Sequence, residues 1–129
     1  MIYMKTATLF RKLDKTAFEC LESAFKLCQA KRNPQVEIEH FLNQILLKGD
    51  NDLQLIMSHY QMATEKLAKD LQVALDRLPR GASAVSEFSP QIGLAIQDAW
   101  FAASMAFNEG AIRVGHLILA MKLNSEMSR

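Results

Sequence analysis

The segment VEIEHFL, residues 36–42, recurs as IRVGHLI, residues 112–118, with apolar positions matched around a single histidine. Upstream, LESAF at 21–25 matches IQDAW at 96–100, and Asp14 matches Ser89 as the residue that caps the helix. The second copy has one additional residue in the loop between its two segments. Two helix–loop–helix units with matching caps and histidines predict an all-α domain with an internal pseudo-twofold axis.

Helical periodicity supports the same fold class along the whole chain. Apolar residues recur at three- and four-residue steps over 15–30, which predicts an amphipathic helix after Asp14. Similar patterns predict helices over 39–48, 52–60, 65–78 with Thr64 as the capping residue, 90–107 and 114–123, and we find no alternating strand pattern. The predicted organisation is one domain, with repeat one at about 14–78, a linker at 79–88 and repeat two at about 89–129.

Composition excludes several classes of protein. The chain has 129 residues, of which 50% are hydrophobic and 22% charged, and a formal net charge of +1. This balance is typical of one globular domain and disfavours nucleic acid as a partner. No stretch has the roughly 20 apolar residues of a membrane span, so we expect no membrane partner and a cytoplasmic protein. Cys20 and Cys28, eight residues apart in one helix, are predicted to be reduced and buried.

The two copies together resemble the Clp N-terminal domain, whose repeats each carry an Ile-x-x-Glu-His-Leu-Leu type of motif. The resemblance covers about residues 9–121 and implies the recognition domain of an AAA+ chaperone, with no catalysis in this chain. Within the family, VEIEH, LPRG, FSP and DAW are similar to the ClpV class, the ATPases of type VI secretion. The alternative is the adaptor- or substrate-binding N-domain of a ClpB-, ClpA- or ClpC-like general chaperone.

The resemblance to ClpV implies a partner and a setting. The partner is an N-terminal helix of the contracted-sheath subunit, which the domain delivers to the ATPase for disassembly. It also implies a bacterial cytoplasmic location, a monomeric isolated domain and a hexameric parent. No cofactor is expected in this chain, because ATP and Mg²⁺ would bind the ATPase modules of a longer parent protein.

The sequence departs from the family pattern at two places. Gly115 stands where the first copy has Glu39, so the second motif lacks its acidic residue. A full second repeat would also place counterparts of the third and fourth helices near 126–154. Either the domain continues past residue 129, or its second half is abbreviated.

Residues with possible catalytic chemistry have simpler structural interpretations. His40 and His116 each open an apolar helix with no cluster of metal ligands beside them, so we expect them to satisfy backbone groups at helix ends. The glycines at 110 and 115 have P-loop spacing, but His116 and Leu117 occupy the Lys and Ser/Thr positions. No catalytic site, metal site or phosphate site is predicted.

Apolar residues beside the two helix starts predict a binding surface instead. Leu13 has a hydrophobic-staple partner in Phe18, whereas Phe88 has Gly93 at the corresponding position and needs another partner. Because the repeat relates the two helix starts, such residues are expected to gather into a groove for an amphipathic helix. The predicted groove residues are Leu9, Phe10, Leu13, Ala17, Phe88 and Ile92.

Overall fold

A computed structural model describes residues 6–83 and 87–127, with side chains for 8–83 and 87–121. The structure is all-α apart from two strands of two residues each, and the central linker residues 84–86 lie outside the described residues. The elements in chain order are α1 Thr6–Arg11, α2 Lys15–Lys31, β1 Gln35–Val36, α3 Ile38–Lys48, α4 Asp52–His59, α5 Thr64–Asp76, β2 Glu87–Phe88, α6 Pro90–Phe101, a π-helix Ala102–Ala106, and α7 Val114–Met127.

Most helices begin and end close to the predicted positions, but the capping chemistry differs between them. Asp14 caps α2 as expected, because its carboxylate accepts the Ala17 N–H at 2.8 Å. Ser89 occupies the corresponding place before α6, yet it makes no capping bond, and its buried hydroxyl has no hydrogen-bond partner among the described residues. Thr64 is the first residue of α5 rather than its cap, since Ala63 takes that position.

The two strands arise from pairing between the halves of the molecule. Val36, before α3, pairs in parallel with Phe88, before α6, and Leu13, before α2, forms a parallel bridge with Ile112, before α7. The same hydrogen bond follows each pair at 2.8 Å, from the Ser89 N–H to the Val36 carbonyl and from the Asp14 N–H to the Ile112 carbonyl. Each half therefore anchors the helix starts of the other.

Matched positions of α2 and α6 form the centre of the core. Leu21 and Ile96 are 2% and 0% exposed, and the adjacent small residues Ala24 and Ala99 are both fully buried. α2 packs against α3 and α6 against α7, and Phe41 of α3 and Leu117 of α7 belong to the same core. Burial of this shared set explains why the apolar pattern repeats.

The additional residue of the second copy lies in the π-helix, not in the loop where the sequence suggested it. A π-helix accommodates one extra residue without ending the helix. The chain leaves both helices through a residue in the left-handed conformation. This residue is Arg32 after α2, with a φ angle of 56°, and Asn108 after the π-helix, with a φ angle of 53°. The insertion is absorbed within the helix, so the following loop keeps the geometry of the first copy.

An ion pair joins α4 to the start of α7. The Arg113 guanidinium donates to both oxygens of Asp52, at 2.7 and 3.3 Å, and the Gly115 N–H donates to the same carboxylate at 3.0 Å. A Cβ at Gly115 would lie 3.1 Å from Oδ2 of Asp52, which accounts for the glycine. Asp52 thus supplies, from another helix, the negative charge that Glu39 supplies in the first copy.

Candidate helix-binding groove

An open groove of about 410 Å³ runs along one face of α2, with Phe10 of α1 and Phe88 of β2 on its other side. The α2 residues that line it recur at three- and four-residue steps from Phe18 to Gln29, a span of roughly 17 Å at ~1.5 Å per residue. The groove therefore has the length of about three helical turns. The residues of α2 that line it are Phe18, Leu21, Glu22, Phe25, Lys26 and Gln29.

Three aromatic rings form an apolar cluster at the groove. Phe88 meets Phe10 edge-to-face, with ring centroids 5.2 Å apart, and Phe25 at 6.0 Å with the rings tilted by 43°. All three rings are partly buried against the core, while Phe18 beside them is 42% exposed. Edge-to-face packing holds aromatic rings in fixed positions and leaves their outer surfaces available for a partner.

The structure divides the predicted groove residues into two groups. Phe10 and Phe88 line the groove, and Phe88 finds in Phe10 and Phe25 the tertiary partners that its lack of a staple required. The other four residues are at most 8% exposed and belong to the core beneath: Leu9, Leu13, Ala17 and Ile92. These four support the groove from below and present almost no surface to a partner.

Sequence reasoning missed Phe18 and Phe25 as groove residues. Phe18 was interpreted as the staple partner of Leu13, and Phe25 only as one apolar position of the helix predicted over 15–30. The available signal was the width of the apolar arc on α2, because both residues lie at its polar edge, beside Glu22 and Lys26. An apolar arc wider than the core requires indicates a surface for a second contact.

Comparison with known proteins identifies the family of this chain. The model of the Clp repeat N-terminal domain matches residues 12–127. The chain belongs to this family. Over 121 residues, 94% of the chain, it is 45% identical to the chaperone ClpB of Yersinia enterocolitica and 36% identical to the AAA+ ATPase ClpV1 of Pseudomonas aeruginosa. The matched region covers only 14% and 13% of those proteins.

Two solved structures with this fold concern type VI secretion. One chain, from a structure concerned with the ATPase ClpV, the TssB–TssC sheath and the accessory HsiE protein, superposes with a TM-score of 0.90 at 33% identity. The match covers 99% of this chain and 82% of that one. A structure described as a peptide from the SciI protein of the EAEC Sci1 type VI secretion system matches with a TM-score of 0.90 at 28% identity, covering 98% and 80%.

The histidines of this Clp repeat domain act as helix caps in both halves, as the sequence predicted. Nδ1 of His40 accepts the Glu37 N–H at 2.8 Å, and Nδ1 of His116 accepts the Arg113 N–H at 2.9 Å. Each imidazole thus satisfies a backbone donor at the start of its helix, where intrahelical partners are absent. The repeated histidine therefore has the same capping role in both halves.

The second ring nitrogen of His40, Nε2, is also hydrogen-bonded. Nε2 of His40 lies 2.8 Å from Oδ1 of the Asn33 side chain, and the side-chain NH₂ group of Asn33 donates to the Pro79 carbonyl at 2.8 Å. Burial lowers the pKa of His40 below its usual value, and the positive charge of Lys31 acts in the same direction. The neutral ring therefore carries its proton on Nε2 and connects α3 to the chain that follows α5.

The described residues of the Clp repeat domain contain no cluster of metal ligands. Within 6–83 and 87–127, no three metal-ligating side chains lie close enough to hold an ion. The two cysteines are free and buried, as predicted, and burial raises the pKa of each thiol. None of the helices in the described residues is sufficiently long and apolar to cross a lipid bilayer.

Proposed function

We propose that this chain is the N-terminal recognition domain of a ClpV-like AAA+ chaperone, and that its groove binds an N-terminal helix of the type VI sheath subunit. The observation that carries the proposal is the groove along α2, which is about three helical turns long and is lined by the aromatic residues Phe18, Phe25 and Phe88. A groove of this kind suits the apolar face of one amphipathic helix.

The relatives support this choice of partner. The structural relative at 33% identity comes from work on ClpV together with the TssB–TssC sheath, and the one at 28% is associated with a SciI peptide. In the proposed complex, the partner places apolar side chains between Phe10, Phe18 and Phe88. The parent ATPase then extracts the captured subunit and disassembles the contracted sheath.

A general chaperone role is the second candidate, and one observation favours it. The identity to Yersinia ClpB, 45%, exceeds the 36% to Pseudomonas ClpV1 over the same length of chain. In a ClpB-, ClpA- or ClpC-like protein, the same groove would receive exposed apolar segments of aggregated proteins or an adaptor. Such clients share apolar surface but no single helical sequence.

A direct competition separates the two candidates. The immobilised domain is offered a synthetic peptide of the sheath subunit's N-terminal helix, a heat-aggregated model protein and purified Clp adaptors. The proposal expects saturable binding of the sheath peptide alone, with loss of binding in Phe18→Arg. Binding of aggregates or adaptors in preference to the peptide would select the general chaperone role.

We also propose that the chain itself has no ATPase activity. Its P-loop-like glycines at 110 and 115 are followed by His116, which caps α7 and has its Nδ1 occupied by the Arg113 N–H. Calorimetry should therefore show no saturable ATP binding, and ATP with Mg²⁺ would act in the parent's ATPase modules. The proposal also includes a monomeric isolated domain and a hexameric parent protein in the bacterial cytoplasm. It includes neither nucleic acid nor a membrane as a partner.

A further inference from the structure

The edge of the groove formed by α2 carries two opposite charges. Glu22 and Lys26 are exposed and one helical turn apart, and they are the only charged residues among the described residues that line the groove. The opposite wall, Phe10 and Phe88, is apolar. A helix bound in the groove is therefore flanked by charge on one side only.

Neither charge is neutralised within the described part of the domain. A Glu four residues before a Lys on a helix is the favourable arrangement for an ion pair. Yet no ion pair within 4.0 Å involves Glu22 or Lys26 among the described residues, while Lys31, Lys48 and Arg113 each have a carboxylate partner. Both charges remain available to side chains of a bound helix.

The order of the two charges along α2 gives the edge a direction. We propose that Glu22 and Lys26 determine which way the partner helix runs in the groove. A partner with an acidic residue followed one turn later by a basic residue runs antiparallel to α2, so that its acid faces Lys26 and its base faces Glu22. A partner with the reverse order runs parallel. This inference rests on the proposed function, because it requires a helix in the groove.

Two designed peptides test the direction. Both peptides have 14 residues and the same leucine stripe, and each carries one pair of charges at four-residue spacing on either flank of that stripe. In the first peptide both pairs are Glu followed by Lys, and in the second both are Lys followed by Glu. Pairs on both flanks are needed because reversing a helix exchanges the flank that faces α2. A nitroxide at the peptide N-terminus broadens the NMR signals of the domain residues near it. Circular dichroism checks that the two peptides are equally helical.

The expected result is a reversal between the peptides. The Glu-then-Lys peptide should broaden amides near Gln29, and its isomer should broaden those near Phe18. In the double variant Glu22→Lys/Lys26→Glu, both patterns should exchange. Each peptide should prefer its own direction by roughly three- to tenfold, since two exposed contacts change from attractive to repulsive.

A matched control uses Glu65 and Lys69, which have the same spacing on exposed positions of α5, outside the groove lining. The double variant Glu65→Lys/Lys69→Glu should leave both patterns unchanged. If both peptides bind in one direction, or if exchanging Glu22 and Lys26 has no effect on direction, the inference is wrong while the groove stands. If the peptides fail to bind, or bind equally well to Phe18→Arg, the groove itself is wrong and the inference fails with it.

Discussion

The outer faces of α2 and α6 occupy equivalent places in the repeat, yet only α2 forms the groove. Phe18 of α2 corresponds to Gly93 of α6, and Phe25 corresponds to Trp100, whose ring is covered by the Lys12 ammonium group at 4.8 Å. The buried faces of the same helices match closely. The comparison shows that packing preserves the inward residues of a repeat, whereas its outward residues are free to become specialised for binding.

The largest expected effect tests the shared core of the two halves. Leu21→Arg and Ile96→Arg should each prevent stable folding, because both positions are at most 2% exposed and would bury an unpaired charge. Circular dichroism and thermal unfolding measure the loss. If only one of the two variants unfolds, the halves do not contribute equally to the core.

The two histidine caps should differ in their contribution to stability. His40→Ala leaves the Glu37 N–H and the side-chain oxygen of Asn33 without their hydrogen bonds to the imidazole, and should lower the free energy of unfolding by about 2–4 kcal/mol. His116→Ala loses one backbone bond and should lower it by about 1–2 kcal/mol. Urea denaturation gives both values. Equal losses would show that the hydrogen bond between His40 and Asn33 adds nothing to stability.

Stability should also depend on pH through His40. Burial lowers its pKa in the folded state below the unfolded value of 6.5, so the unfolded chain binds the proton more readily. The stabilisation is fully present above about pH 6.5 and is lost as the pH falls toward the lower folded pKa, by at most ~1.4 kcal/mol per pH unit. Urea denaturation from pH 7.5 to 5.5 measures the slope. The account predicts a smaller slope in His40→Ala than in the unmodified domain, and equal slopes would contradict it.

The smallest effect concerns two glycines that differ in their neighbours. A Cβ at Gly93 would meet no heavy atom within 4 Å, so Gly93→Ala should raise the free energy of unfolding by about 0.5–1 kcal/mol through helix propensity. Gly115→Ala should lower it by about 1 kcal/mol, because its Cβ crowds the Asp52 carboxylate that accepts the Gly115 N–H. Chemical denaturation distinguishes the signs, and a gain at Gly115 would contradict the close approach.

The helices and their repeat could be predicted because they follow from apolar periodicity and capping residues that are local in sequence. Asp14 as a cap and the two histidines at helix starts are clear examples. The predictions missed α1, whose six residues are too few for a periodic signal, and the strands, whose partners come from opposite halves. The extra residue was placed in the loop, since no local signal distinguishes a π-helix from a longer loop.

The candidate site was predictable only in part. Phe88 was singled out by its missing staple partner, and Phe10 by its place before the cap. Leu9 and Ile92 looked similar in sequence but lie in the core, because burial at a helix start depends on how the two halves pair. Whether an apolar residue at the edge of a stripe, such as Phe18, faces the core or a groove depends on the neighbouring elements.

Calorimetric titration of the sheath-subunit peptide into three variants tests the central claim most directly. Phe18→Arg and Phe88→Arg each place a charge in the groove, and Phe107→Arg places one at an exposed aromatic position in the second half, 52% exposed. The account predicts that all three variants remain folded by circular dichroism, that both groove variants lose binding, and that Phe107→Arg binds as the unmodified domain does. Undiminished binding by folded Phe18→Arg and Phe88→Arg would contradict it.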